Sequence, residues 1–108
     1  MAIEQGQLSA TATAIVTVSA GQNPKIVTND WWYNTDASSA YGIDVHIVKS
    51  GGAYGTTNQI ADIVGTSIAA NSTVELGMKD IRLDVGDSIV AKSDLANTIT
   101  YTIATKEM

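Results

Sequence analysis

The run Tyr41-Gly42-Ile43-Asp44-Val45-His46-Ile47-Val48-Lys49 alternates apolar residues with small or polar ones. Tyr41, Ile43, Val45 and Ile47 fall on one face, and Gly42, Asp44 and His46 on the other. That is the period of two expected of a strand with one side buried. The same period recurs on either side of it. Ile99, Tyr101 and Ile103 oppose Thr98, Thr100 and Thr102, and Ala12, Ala14, Val16 and Val18 oppose Thr11, Thr13 and Thr17. No stretch carries a helical stripe over eleven or more residues.

Turn chemistry divides these runs at short intervals. Ser19-Ala20-Gly21-Gln22-Asn23-Pro24 closes the first strand, and Asn34-Thr35-Asp36-Ala37-Ser38-Ser39 closes a second, placed at about 25–33. The glycine-rich segment 49–55 follows the third, with Tyr54 at its tip. Further strands are expected near 59–64, 72–76, 81–83, 87–92 and 97–105. Seven or eight short strands at this spacing predict an all-β fold: one antiparallel β-sandwich, jelly-roll-like, over residues 9–108. Residues 1–8 are polar and lack alternation. They are expected to be a frayed N-terminal arm, or an arm that orders against a neighbouring subunit.

Bulk composition narrows the function. The chain has 108 residues, 44% of them hydrophobic and 16% charged, which suits one globular domain with a real core. With no cysteine there are no disulfides, thiolate metal sites or cysteine nucleophiles. The opening MAIEQGQLSA lacks a basic segment followed by an apolar run, and no apolar stretch approaches the ~20 residues that cross a bilayer, so a soluble protein made in a cytoplasm is expected. Six basic against eleven acidic residues give a net charge of −5. The basic residues are scattered singly, which argues against nucleic acid or an anionic membrane as a partner.

The sequence offers little catalytic chemistry. The single histidine, His46, shares a strand face with Asp44, but no motif supplies a nucleophile and there is no G-x-S-x-G elbow. One histidine without cysteine cannot furnish the usual zinc set. Asp80, Asp84 and Asp87 offer oxygen ligands for calcium, yet their spacing does not match the twelve-residue calcium loop. Asp84-Val85-Gly86-Asp87 reads better as a tight turn between strands. Gly51-Gly52-Ala53-Tyr54-Gly55 lacks the Lys-Ser/Thr of a phosphate loop. The expectation is therefore a non-enzyme with no cofactor and no metal.

Trp31-Trp32-Tyr33 stands out. Neighbours on a strand point to opposite sides, so Trp31 and Tyr33 share one face and Trp32 takes the other. Either the strand is covered on both sides, or an aromatic group is left outside as a contact surface for protein or sugar. Trp31, Trp32, Tyr33 and Tyr54, with Ile3 and Leu8 of the N-terminal segment, are the candidate interface residues.

The order of the pieces resembles that of small β-sandwich virion proteins of tailed bacteriophages. Ala20-Gly21-Gln22-Asn23-Pro24-Lys25-Ile26-Val27 looks like their strand, small-residue turn and strand opening. Asn34-Thr35-Asp36 with the strand from Tyr41 to Lys49 is similar to their next hairpin. Ser67-Ile68-Ala69-Ala70-Asn71-Ser72-Thr73-Val74-Glu75-Leu76 and Leu83-Asp84-Val85-Gly86-Asp87-Ser88-Ile89-Val90-Ala91-Lys92 resemble the segments that follow, so the likeness spans about residues 10–105. Trp31-Trp32-Tyr33 departs from it, standing where those proteins carry small β-branched residues. The resemblance implies a virion component synthesised in a host bacterial cytoplasm. It would be a head decoration (cement) protein, or else a neck, tail or fibre part, commonly trimeric, with the major capsid protein or other virion proteins as partners. A carbohydrate-binding module is the alternative from another class.

Overall fold

The computed structural model describes residues 2–52, 55, 59–62 and 68–108, with 59–62 described by their backbone alone. Nine strands form among them: β1 (Ala2–Gln7), β2 (Thr13–Thr17), β3 (Lys25–Asn34), β4 (Ile43–Val48), β5 (Gln59–Asp62), β6 (Thr73–Val74), β7 (Arg82–Leu83), β8 (Ser88–Ser93) and β9 (Ile99–Glu107). They build two antiparallel sheets. Sheet A runs β1-β9-β3-β6, with β7 also pairing β3, and sheet B runs β2-β8-β4-β5. The chain crosses repeatedly from one sheet to the other, and the molecule's shortest dimension is 20 Å, as two sheets packed about 10 Å apart require. The fold is a β-sandwich.

The alternations seen in the sequence fill the space between the sheets. Val45 of β4 lies opposite Ala91 of β8 and Ile47 opposite Ile89, Ile43 joins the same buried cluster, and Val27, Trp32, Ile99 and Ile103 enter from sheet A. Three register shifts interrupt the ladders among the described residues: one between β4 and β5 at Val45/His46, and two, in β2 and β3, that reset the phase of their strands. In β2 the register shifts between Ala14 and Val16, so Ala14 is exposed while Val16 and Val18 are buried. The expectation that Ala12, Ala14, Val16 and Val18 share one face therefore fails at that bulge. In β3 the shift lies between Val27 and Asn29. Lys25 and Val27 point inward before it, and Asp30, Trp32 and Asn34 after it.

Trp32 consequently sits at the centre of the core with 0% exposure. Its ring is tilted against Tyr101 at a centroid distance of 6.4 Å. Its indole N–H donates to Asp30 Oδ2 at 2.7 Å, and Asp30 also accepts from the backbone N–H of Leu76 at 2.7 Å and of Met78 at 3.0 Å. Bonds to a buried carboxylate of this kind contribute about 1.5–3 kcal/mol each. Removing a tryptophan from such a core costs about 3–5 kcal/mol. Leu8 is equally enclosed, 1% exposed, with its N–H on the Ile99 carbonyl. Trp32 and Leu8 are thus taken off the surface on which the sequence had placed them as contact residues.

The N-terminal segment is not an arm. Ala2–Gln7 pairs residue for residue with Thr105 to Thr100 of β9. Gly6 lies over Tyr101, where a Cβ would come within 2.8 Å of the phenol oxygen, so the strand is fitted to its neighbour. Burial, and then the negative charge of Glu4, hold the Tyr101 phenol above its ordinary range. This edge strand has no fully apolar side, so it leaves no alternating hydropathy signal in the sequence.

Candidate interaction face

The inward residues of sheet A leave their neighbours on the opposite side, and cross-strand register arranges these in rungs. Gln7, Thr100, Tyr33 and Thr73 form one rung, Gln5, Thr102 and Trp31 the next, and Ile3, Ala104 and Asn29 a third. None of these residues is charged. Ile3 is 58% exposed and Tyr33 37%, while Trp31, Thr100 and Thr102 are half-buried and Ala104 is buried. The Tyr33 hydroxyl donates to Asn71 Oδ1 at 3.3 Å, and the Gln5 amide donates to Thr102 Oγ1 at 3.2 Å, so the side chains brace one another across the strands. One rung further on, Ile26 stands between Arg82 and Lys106, and this is where charge returns.

The Thr28 bulge decides which aromatic rings reach this face. By turning Trp32 inward it commits Trp31 and Tyr33 to the outside. Trp31, Tyr33 and Ile3, named from the sequence, are brought together on one sheet surface. Tyr54 lies outside the described residues. Sequence reasoning had placed Thr100 and Thr102 outward, but not beside the aromatic pair. The pairing of β3 with β9 joins segments some seventy residues apart in the chain, a contact that no local pattern announces.

The histidine and acidic residues named from the sequence are held in pairs and turns. Asp44 and His46 do meet, with His46 Nε2 3.0 Å from Asp44 Oδ1, but the His46 side chain is only 3% exposed. Asp87 accepts from Lys49 Nζ at 3.0 Å and from the backbone N–H groups of Ser50 and Asp84, each at 2.9 Å. Asp84 accepts from Arg82 Nε at 2.7 Å, and its carbonyl takes the Asp87 N–H at 2.9 Å, which closes the tight turn. Among the described residues no group of three acidic or histidine side chains is placed to hold a metal ion. The three rungs of sheet A's outer surface have a chemical character of their own: uncharged, and carrying two outward aromatic rings. No family model, curated protein or solved structure matches this chain.

Proposed function

We propose that this chain is a structural protein of a phage particle, a decoration (cement) protein that binds the outside of the head through the outer face of sheet A. The observation that carries the assembly part of this reading is the uncharged set of rungs around Trp31, Tyr33 and Ile3 on a chain of net charge −5. Interface centres are depleted of charge and enriched in Trp and Tyr, because a desolvated charge costs free energy that a ring does not. Decoration also needs a rigid body, and a strand-paired sheet supplies one. The assignment to a phage rests on the sequence resemblance.

Light scattering of the purified protein, followed by sedimentation with empty phage shells, tests it. A trimer that co-sediments with shells is the expected result. In the double variant Trp31→Ala/Tyr33→Ala the far-UV spectrum should be retained, because both rings lie outside the core, while co-sedimentation falls at least about tenfold, the scale of a lost aromatic hot spot. Undiminished binding by that variant sinks the contact-face assignment. A wild-type protein that ignores shells but sediments with necks, tails or fibres moves it to that part of the particle. The side-by-side outward rings of Trp31 and Tyr33 also suit a sugar platform, and a glycan array separates that reading from protein contact.

A further inference from the structure

A separate feature lies at the end of sheet A where β3 begins. Lys25 is in phase with Val27, so its stem turns inward beside its cross-strand neighbour Leu83. The residue is 9% exposed, yet its ammonium has neither a hydrogen-bond nor an ion-pair partner among the described residues. No enclosed side-chain nitrogen or oxygen is left unsatisfied in that set, so the ammonium must open onto the adjoining cleft. That cleft, about 520 Å³, is lined by Ala2, Gln22, Lys25, Thr105, Lys106 and Glu107.

We propose that this cleft binds a carboxylate, with Lys25 as the fixed cationic partner. Glu107 is the cross-strand neighbour of Lys25 on β9, but no ion pair closes between them. The Gln22 side-chain oxygen is occupied by the Ser19 N–H at 2.8 Å, which leaves its NH₂ group to donate into the cleft. Two lysines against one glutamate leave the site one positive charge, inside a chain whose net charge is −5. A cleft lined by an excess of one charge raises the local concentration of the opposite one. A carboxylate neutralises it; a phosphate dianion would overshoot. Lys25 binds such a group as a point charge, and its buried stem spares the loss of rotamer freedom that an exposed lysine suffers on binding.

The site shares Lys106 with the charged end of the outer face but none of its uncharged rungs, and it is tested without any assembly partner. Acetate is titrated into the ¹⁵N-labelled protein, with sodium chloride at matched ionic strength as the control, and the amide shifts of Thr105, Lys106 and Glu107 are followed. Saturable acetate shifts are expected, weakened at least about tenfold in Lys25→Met, which keeps the apolar stem. Lys25→Gln serves as a second variant should the first fail to fold, and Lys106→Ala is expected to weaken binding by a smaller factor. Shifts that chloride reproduces, or that survive replacement of Lys25, overturn the site. Tighter binding of inorganic phosphate than of acetate overturns its assignment to carboxylates.

Discussion

Asp87 shows how one side chain can hold two loops. Its carboxylate ties the start of the β4–β5 connection, through Lys49 and Ser50, to the turn that opens β8. Burial alone would raise its pKa. The hydrogen bonds from Lys49, Ser50 and Asp84, with the charge of Lys49, outweigh that and leave it below the ordinary 3.8. The folded value lies under the unfolded one, so the stabilisation is complete above the unfolded pKa and disappears as pH falls through the folded value. Thermal melts should therefore show a midpoint that drops below about pH 4. Asp87→Asn should be less stable at neutral pH and show a shallower acid slope; an unchanged slope would remove Asp87 from the account. Gly86 beside it has φ +91°, and a Cβ there would stand 2.5 Å from Ser50 Oγ, so the turn accepts no larger residue without moving that serine.

Strands β2 and β3 owe their facing to single extra residues. Deleting Thr28 would remove the bulge and force one of two mismatches: either Trp31 and Tyr33 turn inward in place of Trp32, or Lys25 and Val27 exchange faces with their neighbours. The deletion should cost more than the ~3–5 kcal/mol of a large core truncation, and cooperative unfolding in urea should be lost. Thr28→Ala keeps the extra residue and loses only its 3.2 Å hydroxyl bond to the Ala104 carbonyl, so a cost near 1 kcal/mol is expected. A deletion variant that unfolds like the parent would show that the bulge does not fix the phase. Eight of the strands could be read from apolar–polar alternation and from the turn residues that separate the runs. The bulges and β1 could not, since a bulge is a mismatch with a partner strand and β1 has no apolar side. The candidate face was legible as an aromatic triplet with one ring opposed to two. Which ring faced out depended on Thr28, and its neighbours depended on pairing with β9.

At the scale of the molecule, charge distribution separates modes of association. Copies of a chain with net charge −5 repel one another, and salt screens that repulsion over a Debye length of about 10 Å at 0.1 M. A contact made through the uncharged rungs of sheet A has no ion pairs to lose. Self-association followed by sedimentation equilibrium should therefore tighten as salt rises to about 0.5 M. Loosening would place the contact on charged surface instead. Sheet A has one more property, set by the order in which its strands leave the ribosome. β9 lies between β1 and β3 and hydrogen-bonds to both, although it is the last of the three to be synthesised. Until residues 99–107 emerge, β1 has no partner strand and Trp32 lacks the ring of Tyr101. Sheet A can therefore be completed only after residues 99–107 are available, which makes its central pairing a late, long-range event in folding.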